Sequence, residues 1–393
     1  MIKNSRIANM SNRKITARKK FSFRPWHFVF ILMGTIIFLF RSYVKISPDK
    51  IEYGYSRPIY PYIADILSLP GQWIHSPYSA SQLFLSLAFF AALVWFCYNF
   101  YVSYKKKIVL RLLLETMVHG IAIVAGVYFF FLTTWGVNYL RQPFFISLNQ
   151  EAPTTLDRFD YEQLGYDMVF LLNTLHKPEI FPADIHDLWE TDYAVDRALT
   201  KVIAMISPPQ TPCFPQTKFL FGNEFLNACG ISGFFLPVFM EPHINSDLLL
   251  WERPFVMAHE KAHFMGFASE TDANFIAYLA CLISESEFLR YSGALNALLA
   301  LRHYIPLKKW QKLIQKNLAQ SVQEDISARD ERIRRNRKRY ARVSDLSHKI
   351  NDTYLKLNNQ KLGIKSYQAA LPHLTVWWKK NPPEFPLTKT DIF

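Results

Sequence analysis

Residues 83–102 and 120–140 each run for about 20 positions without a formal charge, and a helix of that length spans about 30 Å of hydrocarbon. In lipid such segments can satisfy their backbone only as helices, so the first third of the chain is constrained to a membrane-embedded bundle. A third apolar run, 26–40, follows a basic N-terminus and has no small-residue cleavage pattern after it, which reads as a signal-anchor rather than a removed signal peptide. It is short, and it crosses only if Arg24 and Arg41 snorkel at its ends; an interfacial or re-entrant helix is the competing reading. The expected spans are about 26–44, 80–102 and 118–140.

The charge pattern orients these spans. Residues 1–25 carry Lys3, Arg6, Arg13, Lys14, Arg18, Lys19, Lys20 and Arg24 with no acid, and Lys105, Lys106, Lys107 and Arg111 fill the turn between the second and third spans. The positive-inside rule puts both in the cytoplasm, as a basic tail and a cytoplasmic turn. Everything after Arg141 then emerges on the far side of the cytoplasmic membrane. There Cys213 and Cys229 close a loop short enough to bridge; two free buried thiols are the alternative. The net charge of +13 is therefore read as membrane topology. Glu115, with Arg111 and His119 each four residues away, is read as an interfacial ion pair rather than a proton path.

Beyond the spans, 141–393 is expected to fold as one mainly helical α+β domain. Amphipathic helices are predicted over 157–173 and 185–206, ending at the Pro-rich 208–212, and then over 251–265, 270–288, 293–303, 307–320, 344–359 and 366–380. The Phe-rich, Gly-punctuated stretch between them suits short strands, with 234–241 the candidate edge strand. The basic run 329–342 is expected to be a solvated helix face, with anionic lipid as the second reading; lacking a nucleic-acid module, it gives no nucleic-acid partner.

The chemistry concentrates in Ala258-His259-Glu260-Lys261-Ala262-His263. Four residues is close to one helical turn, so both imidazoles face the same way and can share a metal ion, while Glu260 flanks that face and can reach a metal-activated water. Gly266 can cap this helix, and Ser269 with Asp272 three residues on reads as the cap of a second. The short link makes the two helices neighbours and puts Glu270 within reach of both histidines. His259, His263 and Glu270 supply the three protein ligands that a catalytic zinc site needs. Asp272 competes for the third place.

His259-Glu260-x-x-His263 followed by Glu270-Thr-Asp-Ala273-Asn274 resembles the gluzincin class of zinc metallopeptidases, whose second helix carries Glu-x-x-Ala-Asp or Glu-x-x-Ala-Asn. Residues 230–279, with 291–293 and 354–367, are similar to a family of bacterial membrane-anchored proteins bearing this motif. The resemblance implies a zincin-like domain in which Glu260 is the general base, His259, His263 and Glu270 hold Zn2+, and Asn274 supports a ligand. It further implies a peptide or protein substrate laid along an edge strand, and an oxyanion donor for which Tyr367, then Tyr291 and His243, are the candidates. Two departures stand out: Lys261 puts a charge where these peptidases usually carry none, implying a less buried helix or a pairing acid, and the interval from His263 to Glu270 is short.

The expected protein is thus a zinc-dependent hydrolase on three transmembrane helices, most simply a metallopeptidase. The alternative is a non-catalytic membrane scaffold or sensor with a structural zinc. An intramembrane protease fits less well, because 251–266 carries Glu252, Arg253, Glu260 and Lys261.

Overall fold

The computed structural model describes residues 24–382 apart from 44–45, 75, 151–152, 155, 182–186, 207–212 and 359. The basic tail and the Pro-rich 208–212 therefore lie outside the described residues. Helices of eight or more residues are numbered α1 onwards. Three are long and apolar enough to cross a membrane: α1 (Pro25–Tyr43), α3 (Ala80–Lys105) and α4 (Val109–Thr134), with α2 (Tyr60–Trp73) in the connection between the first two. At 1.5 Å per residue the 19 residues of α1 make about 28 Å, so its charged ends need to stretch little. The third span begins nine residues earlier than expected, and its helix stops at Thr134, not at 140. Trp135 leaves helical geometry there, and a 3₁₀ turn, Gly136–Leu140, follows. Arg111 pairs with Glu115 at 2.9 Å, as the ion-pair reading has it.

The chain divides into two compact units. In the first, residues 1–44 and 88–130, α1 lies on α4 through small residues: a Cβ on Gly34 would stand 2.8 Å from Ala125 Cβ, and one on Gly126 would stand 3.0 Å from the Phe30 ring. The second unit comprises residues 45–87 and 131–393. The loop between the first two spans is therefore a structural part of the unit that carries the metal motif, which its sequence did not announce. Buried Glu52 explains this. It takes bidentate bonds from Arg141 at 2.6 and 3.1 Å and one from Arg57 at 2.7 Å, while Arg141 also donates to Met265 O and stacks over the Phe267 ring.

The second unit is mostly helical, with one two-stranded sheet among the described residues. In order come α5 (Arg158–Leu175), α6 (Asp187–Ala204), β1 (Gly233–Leu236), β2 (Glu241–Ile244), α7 (Arg253–Phe264), α8 (Glu270–Leu282), α9 (Glu287–Leu301), α10 (Leu307–Asn317), α11 (Gln320–Leu357) and α12 (Ala370–Lys380). The expected single strand over 234–241 is instead a hairpin, because Pro237 interrupts the ladder and Met240 turns at φ 49°. The expected helix 270–288 stops at Leu282, since Ser286 caps a new helix by accepting from Leu289 N. The basic run is helical, as expected, but the helix expected over 344–359 is the C-terminal part of the same element: α11 is 38 residues long, with a kink at Tyr340. Most of its basic side chains are solvated, but Arg332 is buried and, with Arg329, grips Glu252 just ahead of α7. The mostly buried α7 and α8 form the centre of the core, packed by α6 and α9, with α12 against α8 and α5 against α9.

Candidate metal centre

Helix α7 begins with Pro254 in its first turn and ends where Gly266 adopts φ +82°, a conformation open to glycine. Side-chain Cβ is excluded there anyway, since it would stand 2.8 Å from the Tyr60 ring. Ser269 then caps α8 by accepting from Asp272 N, as the spacing predicts. The turn sets the first residue of α8, Glu270, against the last turn of α7.

Three ligand-type atoms converge. His259 Nε2 and His263 Nε2 are 3.2 Å apart, and Glu270 Oε2 lies 3.2 Å from the first and 3.5 Å from the second. Atoms about 2.0–2.1 Å from one tetrahedral zinc stand about 3.3–3.4 Å from each other, so the triangle has the size that such an ion requires. The protonation pattern agrees. His263 Nδ1 lies 2.8 Å from Phe267 O, which can only accept, so the proton is on Nδ1 and the Nε2 lone pair faces the triangle. Asn274 Nδ2 donates to Tyr367 O, which turns its Oδ1 to His259 Nδ1 at 2.7 Å and gives that ring the same tautomer. Glu270 Oε2 is buried with no hydrogen-bond donor. Two lone pairs and an orphaned carboxylate oxygen sharing one point leave a demand for positive charge that a cation could fill. The charges show the same demand: burial opposes the protonation of His263, yet the Glu270 carboxylate reverses this and lifts it to about 9. Burial likewise opposes the charge on Glu270, but the two histidines hold it well below its usual range.

Glu260 stands beside the triangle. It presents an oxygen within 4.8 Å of the ligand atoms of His259 and His263, farther out than Glu270 does. Burial, against the pull of both histidines, raises its carboxyl to about 7. A Cβ at Gly233 would stand 2.6 Å from Glu260 Oε1, so β1 runs directly over this carboxylate. Strand β2 is flanked on its other side by Lys218, which exchanges backbone bonds with Pro242 and Ile244, so the hydrogen-bonding edge of β1 away from β2 has no strand partner among the described residues.

The structure brings Tyr367 to the centre. Its ring stacks on His259 with centroids 6.1 Å apart, and burial followed by the Glu270 charge raises its hydroxyl well above the usual range and keeps it protonated. Tyr291 and His243 are not brought there. Tyr291 donates to Asp325 in the core, and His243 lies behind the hairpin with its Nε2 on Ser79 and Glu241. Asp272 is removed from the contest for third ligand because its Oδ1 accepts from Phe144 N at 2.9 Å, away from the triangle. Lys261 is fully buried on the far face of α7, paired with Asp192 at 2.8 Å and Asp196 at 2.5 Å. Of its two expected explanations, the pairing acids hold and the exposed helix does not. Cys213 and Cys229 are both free thiols, the first exposed and the second half-buried on the cleft wall, so neither expected state, bridge or buried pair, is present.

A cleft of about 1170 Å³ opens onto the triangle, walled on one side by Phe131, Trp135 and Tyr139, on another by β1, and further on by α9 and α11. Trp135 is a residue that spacing could not nominate. It lies one position past a membrane-length helix, its Nε1 donates to His263 O at 3.1 Å, and its ring is 6.3 Å from the His263 ring. Glu241 is another: it accepts from Ala80 N, Ser81 N and both serine hydroxyls there, capping α3 from the hairpin.

The model of a family described as a protein of unknown function, DUF3810, matches residues 55–375. The chain belongs to this family. No curated protein and no solved structure matches it. The DUF3810 match starts inside the loop that Glu52 and Arg141 clamp, and it runs through α2, both longer spans, the hairpin and the α7–α8 pair. The DUF3810 region thus includes the pieces of chain on either side of α3 and α4 that fold together with the cleft.

Proposed function

We propose that the chain is a membrane-anchored zinc-dependent hydrolase, a metallopeptidase of zincin-like architecture. It stands in the cytoplasmic membrane of a bacterium, with its cleft outside the cytoplasm. The observation that carries this reading is the convergence of His259 Nε2, His263 Nε2 and the donor-less Glu270 Oε2 at 3.2–3.5 Å, beside a buried carboxyl and an open cleft. His259, His263 and Glu270 would hold Zn2+, which when bound polarises a carbonyl and makes water acidic.

The remaining work falls to the chain. Glu260, with a carboxyl near 7, is matched to accepting a proton from the attacking water and passing it to the departing amine. Asn274 and Phe267 O hold the imidazoles in the tautomer that leaves Nε2 free. The Tyr367 hydroxyl, protonated throughout the physiological range, is placed to donate to an oxygen that gains charge. The free edge of β1 offers main-chain bonds to an extended peptide. A structural zinc scaffold would need neither Glu260 nor this opening. Glu260→Gln separates the two: the variant should keep its zinc yet lose cleavage of a randomised internally quenched peptide mixture. Undiminished cleavage would remove Glu260 from the mechanism.

A further inference from the structure

Helix α2 has two faces of opposite character. Tyr60, Ala64 and Ser68 are buried, and Tyr60 donates to Phe264 O at 2.7 Å, one residue past His263. Tyr60, Ala64, Trp135, Met240 and Phe264 share one small core, so α2 is braced directly on the back of the metal helix. On the other side Tyr62, Ile66, Leu69 and Trp73 are 67%, 65%, 44% and 80% exposed. At about 100° per residue these four fall within an arc of about 60°. The helix has one formally charged side chain, Asp65, and it lies at the flank of that arc. A continuous exposed stripe of aromatic and aliphatic residues on a soluble surface asks for a covering partner.

The chain names the partner. Helix α2 lies between two membrane-length helices, and from Trp73 to Ala80 only six residues intervene, a reach of about 24 Å at most over the seven steps. Tyr and Trp on an otherwise apolar stripe are the residues that settle at the water–lipid boundary. The cleft points to the same place independently: its wall includes Phe131, in the last turn of α4, and Trp135, just beyond it.

We propose that the outer stripe of α2 lies among the lipid headgroups and holds the cleft at the bilayer surface, where it takes polypeptide chains tethered in the same membrane. The substrate half of this inference rests on the hydrolase reading above. Tethering would raise the local concentration of such chains without any new contact.

The test uses the full chain in phosphatidylcholine–phosphatidylglycerol vesicles, with Cys97, Cys213 and Cys229 changed to Ser. Bimane is attached at Ile66→Cys, at Leu69→Cys as a second stripe position, and at Lys312→Cys on exposed α10. Lipids carrying a nitroxide near the headgroup should quench both stripe positions strongly and the α10 position little; equal quenching at all three overturns the interfacial placement. The zinc-loaded chain is then given a randomised internally quenched peptide mixture with or without a palmitoyl group. Cleavage about tenfold faster for the palmitoylated form supports the substrate class. Equal rates overturn that class and leave the hydrolase reading standing, whereas no cleavage of either overturns both.

Discussion

Lys261 offers the sharpest perturbation of α7 that leaves the candidate metal ligands untouched. Its ammonium is fully buried between Asp192 and Asp196, and the two carboxylates keep it charged against the burial that opposes charge. Burial raises Asp196 to about 7 although Lys261 pulls the other way. Lys261→Met keeps the length of the side chain and strands both acids. Removing one partner of a buried pair costs about 3–5 kcal/mol, and the partial exposure of Asp196 argues for the lower end. About 3 kcal/mol lowers the melting temperature of a unit this large by roughly 6–10 °C. The sign with pH follows from linkage. In the variant Asp196 loses its cation and its folded value rises further above the unfolded one, so the folded state takes up a proton and gains stability as pH falls through that value. The loss should therefore be largest near pH 8 and smaller near pH 6. Adding Asp192→Asn and Asp196→Asn to Lys261→Met should recover most of it. Thermal unfolding of the detergent-solubilised chain reads the wild type, Lys261→Met and the triple variant. A shift under about 2 °C for Lys261→Met, or no recovery in the triple variant, would refute the buried triad as a stabilising unit.

Two other residues make separate predictions. Gly233→Ala places a methyl 2.6 Å from Glu260 Oε1, 2.6 Å from Val256 Cγ1 and 2.9 Å from His243 O; the backbone oxygen cannot yield, so the Glu260 and Val256 side chains must. Peptide cleavage should fall by about tenfold or more with zinc content intact, and full activity would mean that β1 does not set the position of this carboxylate. Glu241 is held down at about 2 by His243, Ser81 and Ser79 in spite of burial, against an ordinary 4.5. A depressed carboxylate stabilises the fold above its unfolded value, here by about 3 kcal/mol, and the contribution disappears as pH falls from about 4.5 towards 2. The gap in melting temperature between the wild type and Glu241→Gln should thus be wide at pH 7 and narrow at pH 3; a constant gap contradicts the assignment.

What could be read in the sequence was what local spacing controls. The four-residue step from His259 to His263, the glycine at 266 and the cap at Ser269 act over one or two turns, and the structure places all three as expected. Glu270 followed from the shortness of the link. Long-range partners were not readable in this way. Nothing near Trp135 marks it as the residue that donates to His263 O, because its partner is 128 positions away. Glu52 and Arg141 look like ordinary loop charges until folding joins them across 89 residues. The hairpin is hidden in the sequence because residues 234–240 form one unbroken apolar run that gives no local sign of the turn at Met240. The basic run showed the converse: a charge-rich helix reads as solvated throughout, although Arg332 is drawn into the interior by Glu252.

The central claim is that two imidazoles and Glu270 hold one divalent cation, and metal analysis of the purified full chain tests it most directly. Wild-type protein should carry about one zinc per chain, and His259→Ala and Glu270→Ala should each lose most of it while Tyr291→Phe retains it. Equal metal content in all four proteins, or none in the wild type after zinc is supplied, would contradict the claim.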